Sequence, residues 1–349
     1  MTQRRTRAGT ELYAKHDVER RIDLPTALDV VETTYIEGAR GRVINPAKST
    51  MHLGDDGGWP AANAFSIGMP AYVGWLDAAG MKWAIATWDA DVEPPISARI
   101  LLFDLDQGSF TAILEGMHLT GVRTALQSVV GVTHLCPAPP DSIGVFGAGF
   151  QARFQLRVLD GLVDIERFGL YDVAAGRAAG LAADLAPELD ADVVVEETPQ
   201  AAADADVVVT ATDSKSPVLD ESWLRPGGLV IALGSYRELP DETVLSADRM
   251  VVDHAEQCLQ RGALSDLVDQ GAVTAADIDS TIGEVLDAAD AADAADAADA
   301  PTVAKGRPAD SDGRTVFVPI GLGSLDVALA EHLRTNGMGD SGVRRFDFL

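Results

Sequence analysis

Lysine is nearly missing from this chain, with five in 349 residues: Lys15, Lys48, Lys82, Lys215 and Lys305. Bases of both kinds total 27 against 54 acids, a formal charge of −27. So acidic a surface repels polyanions, which excludes nucleic acid and anionic membranes as partners. It also repels itself in dilute salt, a cost that a Debye length of about 3 Å at 1 M salt removes. The acids are spread along the whole chain rather than gathered in a patch. We therefore read adaptation to a salt-rich, halophilic cytoplasm rather than an acidic partner-binding surface. The only cysteines, Cys136 and Cys258, are too few for a disulfide scaffold and are not spaced as metal ligands. The six histidines form no HExxH-type pattern, so no metal is expected. No run is apolar enough to span a membrane, and no apolar stretch follows Arg4-Arg5 to make a signal peptide. A cytoplasmic protein is expected.

What is present is a nucleotide-type turn. Ser142–Ala152 reads SIGVFGAGFQA: an apolar strand-like run, then Gly147-Ala148-Gly149-Phe150-Gln151-Ala152, then a helix-like stretch. G-x-G-x-x-A has meaning in that strand-to-helix context. Gly147 permits the tight turn, Gly149 lets backbone approach a pyrophosphate, and Ala152 lets helix pack on strand. The unpaired amides of the helix N-terminus then face the phosphates. A second apolar run, Phe168–Tyr171, ends at Asp172, twenty residues past Ala152. An acid there accepts from the adenosine ribose hydroxyls and repels a 2′-phosphate, so NAD is expected rather than NADP. The competing readings are a nucleotide-free α/β domain and, for Asp172, a plain solvated loop acid. Further buried-strand runs, Asp206–Thr210 and Leu229–Leu233, alternate with helical stretches. The fold class is therefore α/β, a doubly wound parallel sheet of the Rossmann type.

Upstream the pattern changes. A Pro-marked amphipathic helix is expected over residues 24–40, followed by short apolar segments at 71–75, 81–87, 100–103 and 110–115. These predict a second, α+β domain with a mainly antiparallel sheet. A helix over about 121–135 leads to a boundary at Pro137, Pro139 and Pro140. The expected domains are 1–136 with 318–349 and 137–317, the latter carrying an acidic insertion at 287–312. Within it, residues 287–300 repeat DAA, so acids precess around a helix, and we read a solvated, partly disordered segment.

Three bases are candidates for chemistry. Arg123, placed at the start of the connecting helix, pairs a planar fork of donors with helix amides and suits a carboxylate; an ordinary surface arginine is the alternative. Lys82 sits mid-strand between Met81 and Trp83. It is either a partly desolvated amine that exchanges protons or an edge-strand charge against aggregation. Lys48 is the weakest candidate.

Asn45-Pro-Ala-Lys48, Met69-Pro-Ala-Tyr72, Gly80-Met-Lys-Trp83, Leu101-Leu-Phe-Asp104, Leu119–Ala125, Gly147–Ala152, Gly234-Ser-Tyr-Arg237 and Gly321–Asp326 occur in that order. In this the chain resembles the ornithine cyclodeaminase/mu-crystallin family over nearly its whole length. The resemblance implies a homodimer, with the N-terminal half and C-terminal helix as substrate and dimerisation domain around an inserted Rossmann domain. It implies Lys82 as catalytic lysine, with Arg123 and Lys48 on the substrate carboxylate. It also places Thr210 and Gly234 with the glycine turn as cofactor residues. Two departures stand out. Lys48 replaces a usual arginine, and Ser235 stands where cyclodeaminases and related alanine dehydrogenases carry an Asp, with Asp241 as a possible substitute in a shortened loop. The expected activity is NAD-dependent oxidoreduction at the C–N bond of a small amino-acid or imino-acid substrate. Ornithine cyclodeamination and a non-catalytic dinucleotide-binding role are the alternatives.

Overall fold

The computed structural model describes residues 9–54, 63–87, 95–296, 313–336 and 343–348. In chain order its strands are β1 Thr10–Tyr13, β2 Val43–Ile44, β3 Ser49–Leu53, β4 Ala64–Val73, β5 Ala78–Thr87, β6 Ile96–Asp104 and β7 Ser109–Glu115. There follow β8 Ser142–Phe146, β9 Arg167–Tyr171, β10 Asp192–Val195, β11 Val207–Thr210, β12 Leu229–Ala232, β13 Arg249–Val252, β14 Ser280–Thr281, β15 Thr315–Val318 and β16 Arg344–Phe346. Contacts divide the chain into two compact units, 1–123 with 322–349 and 124–321. The division falls inside the connecting helix Met117–Leu135, rather than at the proline-rich stretch after it.

The first unit holds a mixed sheet in the order β16-β1-β7-β6-β5-β4-β2, with β3 also on β4. All its pairings are antiparallel except β1 with β7. The helix Gly323–Asn336 packs on β4, β5, β6 and the helix Leu24–Ala39. Asp23 starts that second helix by accepting from the Thr26 amide at 3.1 Å, with Pro25 in the first turn. Side chains alternate along β5, so residues 78, 80, 82, 84 and 86 share a face opposite Trp83 and Ile85. The outward row is apolar. Trp83, Ile85 and Met51 are 53, 51 and 51% exposed, and Met51 and Ile85 both lie opposite Ser66 in the register.

The second unit holds a wholly parallel sheet, β10-β9-β8-β11-β12-β15-β13-β14. Its inner strands are buried on both faces, which is why they read as unbroken apolar runs. The strand order reverses between β8 and β11, and the crevice beyond the carboxyl ends there is where such sheets bind ligands.

Two expectations need correction. The connecting helix begins at Met117, so Arg123 is in its second turn. Glu115 at the end of β7 caps it, accepting from the Met117 amide at 2.7 Å and the His118 amide at 2.9 Å. The acidic repeat is helical as far as it is described, within Ile282–Asp296. Thr281 and Glu284 form a reciprocal capping box, and alanine, the best helix former, carries the turns after it. The rest of the proposed insertion, 297–312, lies outside the described residues.

Candidate active site

In the first unit, the fold buries Lys82. β5 is an inner strand, with Met69 of β4 and Ile100 of β6 on either side of Lys82 in the register. The edge-strand reading is thereby excluded. Lys82 is 3% exposed, and its Nζ lies 3.0 Å from Oδ2 of Asp326 on the helix Gly323–Asn336. Arg123 Nε lies 3.4 Å from Asp326 Oδ1, and the Thr120 hydroxyl donates to the same oxygen at 3.3 Å. Two buried cations thus converge on one fully buried carboxylate.

Burial brings the Lys82 ammonium down from its usual 10.5 to about 8, with repulsion from Arg123 adding to the shift and Asp326 opposing it. Burial alone raises the Asp326 carboxyl, but the two cations overcome it and hold the group below the ordinary range. A lysine so poised takes up or releases a proton near neutrality. Lys48 is half-buried in the segment between β2 and β3. That segment is tied to the Asp326 helix through Asn45, which accepts from the Ser324 amide and donates to its hydroxyl, both at 3.0 Å.

In the second unit, the glycine turn has the geometry its spacing predicts. Gly147 has φ +97, and a Cβ there would meet the Ala211 carbonyl at 2.7 Å, so only glycine fits. Gly149 starts the helix Phe150–Leu162 without a side-chain cap, and a Cβ added to it meets nothing within 4 Å. Backbone amides at the helix start are thus open to an anion, while Ala152 is fully buried against the sheet. Asp172 accepts from the Ala148 amide at 2.8 Å and the Ala174 amide at 2.7 Å, so its carboxylate is held against the turn. Each oxygen keeps a further lone pair for a hydroxyl donor. The residues present fit a dinucleotide. Among the described residues, no group of three or more His, Cys, Asp or Glu is arranged to hold a metal ion, and no helix is long and apolar enough to cross a membrane.

The remaining sequence candidates lie at the end of β11 and in the stretch after β12. Thr210 is fully buried and its hydroxyl donates to Glu238 at 2.9 Å, so it has no face to offer a ligand. The Gly234 amide also donates to Glu238, at 2.6 Å. Ser235 is exposed. Asp241 accepts from Arg237 at 2.6 Å and opens the short helix Asp241–Leu245.

Two acids were given no role by the sequence reading, Glu238 and Asp326, although Asp326 closes the Gly321–Asp326 stretch. The signal for Asp326 was a lone acid within the apolar stretch Leu325–Ala330. For Glu238, nothing beyond its place in the shortened loop marked it.

The chain is 27% identical to the alanine dehydrogenase of Archaeoglobus fulgidus, over 97% of this chain and 98% of that protein. Its fold matches an archaeal alanine dehydrogenase dimer with bound NAD at a TM-score of 0.85 and 25% identity, covering 97% of this chain and 99% of the other. It matches the Thermococcus litoralis Delta(1)-pyrroline-2-carboxylate reductase in complex with NADH and L-proline at 0.81 and 25%, covering 94% and 98%. The ornithine cyclodeaminase/mu-crystallin family matches residues 9–336, and the chain belongs to that family.

Proposed function

We propose that this chain is an NAD-dependent oxidoreductase acting on the C–N bond of a small α-amino or imino acid. The observation that carries the reading is the buried convergence of Lys82 and Arg123 on Asp326. Arg123 receives the substrate carboxylate on its planar fork, assisted by Lys48. Lys82 exchanges a proton with the substrate nitrogen, and Asp326 holds its Nζ in place. When bound, NAD takes up or supplies the hydride exchanged at the substrate Cα. The Gly147–Ala152 turn, with Asp172, is the segment that would hold it.

This assignment fixes a pH dependence. Oxidation of the amine requires neutral Lys82, so its rate rises with pH through about 8 and then levels. Imine reduction requires the protonated form and falls over the same range. Steady-state rates in both directions measure it, and a flat profile between about 7 and 9 contradicts the role given to Lys82.

Cyclodeamination is disfavoured. The loop after β12 offers Ser235 in place of the family Asp, and its two nearby acids are engaged, Asp241 by Arg237 and Glu238 by four donors. Incubation with L-ornithine decides it. Proline and ammonia formed without net NADH favour cyclodeamination, whereas NADH accumulating with an amino-acid substrate favours the dehydrogenase. Assays belong in about 1 M potassium chloride, because the charge of −27 needs screening.

We also propose a homodimer, through the outward apolar row of Met51, Trp83 and Ile85 on the first unit's sheet. Sedimentation velocity is expected to give twice the chain mass, and Trp83→Glu to reduce it to one. A wild-type monomer contradicts this. A cytoplasmic setting suits Cys136 and Cys258, neither of which is in a disulfide.

A further inference from the structure

We propose that Glu238 is a positioning residue for the nicotinamide half of the cofactor site, a role that rests on the NAD reading above. Its carboxylate is completely buried. Oε2 accepts from the Thr210 hydroxyl at 2.9 Å and the Gly234 amide at 2.6 Å. Oε1 accepts from the Thr212 amide and the Thr212 hydroxyl, both at 2.6 Å. Thr210 ends β11, and Gly234 follows β12 by two residues. One side chain therefore ties together the carboxyl ends of two adjacent parallel strands. A Cβ on Gly234 would collide with Oε2, so any other residue there displaces the carboxylate.

Four donors saturate the acceptor sites of an ionised carboxylate and leave it no proton to give and no lone pair for a substrate. Burial pushes the carboxyl pKa up, and the same donors oppose that rise. Glu238 is therefore a fixture and not an acid or base.

Its location specifies what it fixes. In a doubly wound sheet the first half, here β8, β9 and β10, takes the adenosine side, and the second half takes the other mononucleotide. Glu238 locks the exits of β11 and β12, the first two strands of that second half. It also shapes the short loop between its own position and Gly234. The Glu238 amide donates to the Tyr236 carbonyl at 3.0 Å, leaving Ser235 and Tyr236 exposed at this edge with Lys215 Nζ 5.3 Å from the centre of the Tyr236 ring.

The test compares NADH with ADP-ribose, which lacks the nicotinamide, by isothermal titration. For Glu238→Gln, NADH affinity is expected to fall about tenfold or more while ADP-ribose affinity stays within about twofold. Thr212→Val keeps the backbone amide bond, removes one hydroxyl donor to Glu238 and with it the acceptor of the Ser214 amide. It should show the same selective loss at about threefold, and it decides the matter if the glutamine variant folds poorly. Equal loss of both ligands in Thr212→Val, or loss of neither, overturns the positioning role alone. Wild-type protein that binds neither ligand overturns the NAD reading and this proposal with it.

Discussion

Lys82→Met is expected to lower kcat by about 10² to 10⁴ and leave the dissociation constant for NADH unchanged within about twofold. The first effect follows if the group removed is the one proposed to exchange a proton with the substrate nitrogen. The second follows because the residues assigned to the dinucleotide belong to the other compact unit. Methionine fills most of the lysine volume, so the inner strand keeps its packing, and Arg123 still faces Asp326. Fluorescence titration with NADH and steady-state rates separate the two. A variant that retains near-normal turnover removes Lys82 from the mechanism. Loss of NADH affinity alongside turnover makes it a structural lysine.

Asp326→Asn produces the largest expected loss of stability. Removing the carboxylate leaves two buried cations facing an amide, and breaking a buried pair by deleting one partner costs about 3–5 kcal/mol. For a chain of 349 residues that lowers Tm by roughly 4–7 °C. The variant also carries a functional signature. Asp326 opposes the fall of the Lys82 pKa, so its loss moves the rise in amine oxidation to lower pH. Thermal unfolding in molar salt and the pH–rate profile check both. The triple variant Lys82→Met, Arg123→Met, Asp326→Leu is the control. Without charges to bury it is expected to regain most of the stability and none of the activity. An Asp326→Asn protein with wild-type Tm and an unshifted profile contradicts the cluster.

Much of the fold was legible because it is written in short-range patterns. The glycine turn, the unbroken apolar strands and the Pro-started helix at Leu24 each follow from local stereochemistry. The start of the connecting helix was misplaced because Gly121 reads as a boundary, whereas the cap comes from Glu115 on the preceding strand. The acidic repeat is solvated as read, with residues 288–291 exposed, and the helix it joins is started by a capping box ahead of it. The missed acids have a different cause. Asp326 meets Lys82 and Arg123 across more than 200 residues of chain, and only the sheet register and the helix laid on it bring them together. Glu238 follows an arginine and looks like half of a surface ion pair. Its burial depends on two strand ends meeting, which spacing does not report.

Deuterium transfer tests the central claim most directly. L-Alanine and L-proline labelled with deuterium at Cα, incubated with the protein and NAD in molar potassium chloride, are expected to show the label passing into reduced cofactor. One atom should transfer per turnover for whichever of the two is a substrate, and Lys82→Met should abolish the transfer. Turnover in which the deuterium stays on carbon or washes into solvent would contradict hydride exchange at Cα, and with it the role assigned to the buried cluster.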